Sequence, residues 1–84
     1  MQELCAKENS YDYRKMGQVI RELRIRKGLS QEVLSGLSGI ARSHLAMIES
    51  GKKKPSVETL WRIAGGLEMK LSELMKSMET YTGK

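Results

Sequence analysis

The run from Ser30 to Pro55, SQEVLSGLSGIARSHLAMIESGKKKP, constrains the fold of this chain more than any other segment. Leu34, Leu37, Ile40, Leu45 and Ile48 recur at helical spacing, and Gly39 interrupts them where a chain must turn. The pattern predicts two short helices joined by a tight turn. That arrangement suits a helix-turn-helix, in which one helix is buried as a brace and the next presents its outer face to a DNA groove. The outer residues of the second helix are Arg42, Ser43, Ala46 and Met47, and the loop after it carries Lys52, Lys53 and Lys54. Between residues 42 and 55 four basic side chains face a single acidic one, Glu49, a balance that favours a phosphate backbone over a protein partner.

The flanking sequence supplies the remaining elements. Met16, Val19, Ile20 and Leu23 mark an amphipathic first helix over Arg14–Lys27, with Gly28 as its C-terminal cap. Ser30 caps the second helix, Glu32 suits its first turn, and the internal Gly36 keeps it short. The turn falls at Ser38-Gly39-Ile40, and the third helix runs from Arg42 to Ser50 and stops at Gly51. Pro55 and Ser56 open a fourth helix whose expected inner face is Val57, Leu60, Ile63, Ala64 and Leu67. A fifth, over Leu71–Met78, is expected to bury Leu71, Leu74 and Met75. Residues 1–13 read as a flexible arm, 14–79 as the folded domain and 80–84 as a frayed tail. No strand pattern or repeat is present.

A length of 84 residues fits one all-α domain with a small Leu/Ile/Met core, and the absence of Phe agrees with it. The net charge of +5 attracts polyanions but decides little by itself, since its placement is what counts. Cys5 is the lone cysteine, so an intramolecular disulfide is excluded and a cytoplasmic location is expected. No apolar run approaches the length of a membrane span or a signal-peptide core, so no membrane association is expected.

Three motifs occur in order: LR-x-x-KGLSQE, then ESGK-x-x-PS, then LSEL. Together they resemble the lambda-repressor-like, or XRE-type, helix-turn-helix family over about residues 14 to 76. The resemblance implies a compact five-helix domain that binds operator DNA, usually as a homodimer. Carried over by position, it implies base-reading positions at Arg42, Ser43 and Met47 with Ala46 beside them. It places phosphate contacts at Gln31, Ser50 and the loop of Lys52, Lys53 and Lys54. It also implies a structural ion pair between Arg24 and Glu49, which the physics supports, because both lie on otherwise apolar helices where an unpaired charge is costly. The sequence departs from the family pattern in three places. Ala41 stands where a Ser or Thr cap is common, Glu68 where a glycine frequently ends the fourth helix, and Lys70 where a capping residue usually starts the fifth.

Arg42, near the start of the recognition helix, has the reach to bond guanine O6 and N7 together, against the plainer alternative of a phosphate contact. Ser43 suits a base or a phosphate, and Met47 offers only apolar contact such as one to a thymine methyl. His44 has no second histidine or acidic residue at ligand spacing, so no metal or cofactor is expected. Trp61 lies one position outside the apolar stripe of the fourth helix; with Leu71, Met75 and Met78 it forms a candidate dimer interface. The function these readings favour is a sequence-specific transcriptional regulator binding double-stranded DNA as a homodimer. Small stand-alone members of this class include repressors and the controller proteins of restriction-modification systems. The competing class is a protein-interaction module, such as an antitoxin that also binds its own promoter. An enzyme is excluded as a reading, because no nucleophile–base pair, metal cluster or phosphate-cradling glycine loop is present.

Overall fold

The fold is described from a computed structural model covering residues 11–81. It comprises α1 (Tyr13–Arg26), α2 (Gln31–Ser38), α3 (Arg42–Glu49), α4 (Val57–Gly66) and α5 (Leu71–Thr80), with no strand among the described residues. Eight of the residues, too few to form a stable helix alone, make up each of α2 and α3, so tertiary packing must hold both. That packing is supplied by Met16, Ile20, Leu34, Leu45, Ile48, Ile63, Leu67 and Leu74, all fully buried. In this bundle α1 lies against α3 and α5, and α4 against α2 and α5.

The helix starts follow local chemistry. The side chains of Ser30 and Ser56 accept hydrogen bonds from the backbone N–H of Val33 and Thr59 at 3.0 and 3.1 Å. The Asp12 carboxylate accepts from the backbone N–H of Arg14 at 3.0 Å, which holds its pKa below the ordinary value. Asp12 is therefore a helix cap and Tyr13 the first residue of α1, not the end of an arm. The rest of the expected arm, residues 1–10 with Cys5, lies outside the described residues. At the other end Thr80 is still helical, and Tyr81 is not frayed. It packs half-buried against the core, and its hydroxyl donates to Glu22 Oε2 at 3.3 Å. Burial, reinforced by the Glu22 charge, raises the Tyr81 phenol above its usual pKa.

Two apolar residues do not sit where the spacing placed them. Leu37 is 61% exposed and Val57 68% exposed. In α2 the buried face is Leu34, Ser35 and Ser38, which turns Leu37 outward. Small residues occupy that face because α4 comes very close: a Cβ added at Gly66 would stand 2.5 Å from Ser38 Oγ. Val57 is the first residue of α4 and lies at the edge of the stripe formed by Leu60, Ile63, Ala64 and Leu67. A second close approach joins α1 to α3, where a Cβ on Gly17 would run into the carbonyl of Ile48.

Four helix ends use the left-handed region, at Gly28, Gly39, Gly51 and Glu68. Gly39 ends α2 at φ +71°, and the Ile40 N–H then donates to the Ser35 carbonyl at 3.0 Å, closing the turn between α2 and α3. At the end of α4 the same wrap places Glu68 at φ +61°, with its N–H on the Gly65 carbonyl and that of Met69 on the Ala64 carbonyl. A side chain there is strained, whereas glycine is not.

Candidate nucleic-acid interface

The second helix of the motif presents a continuous outer surface. Leu45, Ile48 and Glu49 of α3 are buried, while Arg42, Ser43 and Met47 are exposed and Ala46 is half-buried. Ala41 gives α3 no side-chain cap, as its methyl group dictates. Beyond α3 the chain reverses at Gly51 and folds back onto the Met47 carbonyl. That oxygen accepts from the N–H of Lys52 at 2.9 Å, the N–H of Lys53 at 3.2 Å and the hydroxyl of Ser50 at 3.1 Å. The reversal fixes the start of the loop against the helix end, with Lys52, Lys53 and Lys54 all exposed. His44 is half-buried on the flank of α3, and no cluster of His, Cys, Asp or Glu suited to a metal exists among the described residues.

Glu49 does not neutralise this surface. Its side chain is only 2% exposed and is gripped by Arg24, whose Nε donates to Oε2 at 2.7 Å and whose second terminal nitrogen donates to Oε1 at 3.0 Å. The remaining terminal nitrogen of Arg24 donates to the Leu29 carbonyl at 2.8 Å. Every exposed charged residue from Arg42 to Lys54 is therefore a cation. Gln31, expected as a phosphate contact, is half-buried, and its amide donates to Glu49 Oε1 at 3.0 Å.

The candidate interface residues divide. Trp61 is 67% exposed and lines a groove of about 620 Å³ with Gly65, Met69, Leu71 and Met75. Leu71 and Met75 are half-buried along it. Met78 is a correction: at 8% exposure it belongs to the core, because it shares the inward face of α5 with Leu74. Sequence reasoning also missed Gly17, Gly66 and Ser38, which set how closely the helices approach. Small residues inside a helix are the only signal they give, and it does not reveal the partner.

A sequence model of the helix-turn-helix family matches residues 20–74, and the chain belongs to that family in its XRE-type form. It is 42% identical over 60 residues to the transcriptional regulator SlrR of Bacillus subtilis, covering 70% of this chain and 40% of that one. It is 37% identical over 65 residues to the uncharacterized HTH-type transcriptional regulator y4dJ of Sinorhizobium fredii, covering 76% and 84%. The chain thus spans well under half the length of SlrR but most of y4dJ. Among solved structures it resembles the restriction-modification controller protein C.AhdI of Aeromonas hydrophila, with 43% identity and a TM-score of 0.72. That likeness covers 75% of this chain and 96% of the controller protein. The five-helix, all-α fold is the fold of these neighbours.

Proposed function

We propose that this chain is a sequence-specific, DNA-binding transcriptional regulator that acts in the cytoplasm as a homodimer and carries out no catalytic step. The observation that carries the reading is the all-cationic exposed surface of α3 and its loop, with Glu49 withdrawn into the ion pair with Arg24. Lys52, Lys53, Lys54 and Ser50 hold phosphates and fix the register, while Arg42, Ser43 and Met47, flanked by Ala46, read base edges in the major groove. One domain offers one such helix, and two copies related by a two-fold axis present a pair about one helical turn of DNA apart, roughly 34–36 Å. Trp61, Leu71 and Met75 form the apolar face between copies, on α4 and α5 and clear of α3. The likeness to C.AhdI over nearly all of that protein favours, within this class, a regulator of the controller type.

Selection of bound sequences from a random duplex library tests the reading. Wild type should enrich a palindromic site, and Arg42→Ala should lose about 1–3 kcal/mol and relax one base pair per half-site. Replacing Lys52 and Lys54 by Gln should weaken cognate and random DNA alike and flatten the salt dependence by about one unit per contact. Analytical ultracentrifugation should show Trp61→Ala dissociating at higher concentration than wild type while staying helical. Failure to enrich any duplex refutes DNA reading, and a wild type monomeric both alone and on its site refutes the dimer.

A further inference from the structure

The surface of α3 is held from behind at one carboxylate, and three segments of the chain converge on it. Glu49 is the last residue of α3, Arg24 lies near the end of α1, and Gln31 is the first residue of α2. Arg24 also fastens the Leu29 carbonyl, so the loop between α1 and α2 is tied into the same cluster. The start of α2 and the end of α3 are therefore linked by a side-chain bond of 3.0 Å in addition to the turn at Gly39. A turn alone fixes two helices at one point. A second tie near the opposite ends of the pair restricts the angle between them.

We infer that Gln31 is a positioning residue for DNA reading: its amide bond to Glu49 sets the angle at which α3 is presented. This inference rests on the proposed DNA-binding function and gives Gln31 a role other than phosphate contact. The amide donates to a carboxylate that is itself almost wholly buried, so the bond is charge-assisted and shielded from water. A hydrogen-bond donor is needed at this position. Arg24 already supplies the neutralising cation, and a second carboxylate would face Glu49 directly.

Gln31→Met keeps the length and bulk of the side chain and removes the donor. Thermal melts establish that it is folded, and duplex binding is then measured over a salt series with cognate and random DNA. Positioning predicts a loss of about tenfold for the cognate site, with the random-duplex affinity and the salt slope unchanged. In the free protein, amide hydrogen exchange should quicken in α3 but not in α4 or α5. A Gln31→Lys variant restores a donor of similar reach, so it should return α3 exchange in the free protein toward wild type. Parallel loss for cognate and random DNA with a shallower slope would make Gln31 a phosphate contact and overturn the inference. Unchanged cognate affinity, or exchange that quickens uniformly, would overturn it too. If wild type prefers no duplex while Gln31→Met still loosens α3, the DNA reading has failed, and the structural tie survives without its role.

Discussion

Removing the carboxylate of Glu49 is the sharpest test of how this fold is held. In Glu49→Ala three hydrogen bonds disappear, two from Arg24 and one from Gln31. The guanidinium keeps only its bond to the Leu29 carbonyl, in a site where the Arg24 side chain is 11% exposed. Breaking a buried pair from one side costs about 3–5 kcal/mol, because the surviving charge stays desolvated without compensation. The small exposure of Arg24 lets some water reach it, so the lower half of that range is expected. Against a total stability on the order of 5–10 kcal/mol for a domain of this size, the loss is a large fraction. Chemical denaturation followed by circular dichroism should show it directly, and thermal melts should fall by about 12–32 °C. A companion variant separates charge from contact: Arg24→Leu with Glu49→Leu removes both charges and should recover much of the loss. A loss under about 1 kcal/mol for Glu49→Ala would refute the reasoning, since that is the worth of a solvated surface pair.

Two backbone positions yield further expectations. Glu68→Gly relieves a left-handed residue at the end of α4 and should gain up to about 1 kcal/mol, raising the melting temperature by a few degrees, whereas Glu68→Ala should not. An unchanged melt for the glycine variant would show that the wrap carries no strain. Gly17→Ala drives a methyl into the Ile48 carbonyl, a backbone atom that cannot step aside, and should cost about 1–3 kcal/mol in a denaturant titration. Gly36→Ala is its control: nothing lies near its added Cβ, so helix propensity should make it stabilising by about 0.5–1 kcal/mol.

Much of this architecture was legible in the residues because the relevant signals are local. Ser30 and Ser56 are good caps wherever a helix follows them, and both accept the backbone N–H three residues on. The stripe Leu60, Ile63, Ala64, Leu67 has a single helical reading, and it is buried. The misplaced residues fail where burial depends on a partner not adjacent in sequence. Leu37 has the right residue type for a core, but α2 turns Ser38 toward Gly66 because only a small side chain there admits α4 so closely. Met78 has the look of a surface methionine at a chain end, yet it shares a face with Leu74 and closes the core. Gln31 is the instructive case within the site. Its position at the start of α2 is visible in the sequence, but the acceptor of its amide lies eighteen residues away on another helix. No spacing rule connects them.

The same separation of near and far explains how the proposed reading surface of α3 can vary without endangering the fold. An isolated helix of eight residues is not stable in water, so α3 exists because its inward face is fixed. Leu45 and Ile48 supply that fixation by burial, Glu49 by its bonds to Arg24 and Gln31, and Gly17 by allowing α1 to lie directly against the Ile48 backbone. None of these residues is among the exposed set of Arg42, Ser43 and Met47. Among the described residues, no side-chain hydrogen bond or ion pair ties Arg42 or Ser43 to the rest of the domain. Substitutions on the outward face should therefore change which duplex is preferred at little cost in stability, as surface changes away from buried contacts usually do. Substitutions on the inward face should change stability first and duplex preference through the angle of α3. In this arrangement one eight-residue helix carries two nearly independent functions, with buried residues setting its orientation and exposed residues setting its chemistry.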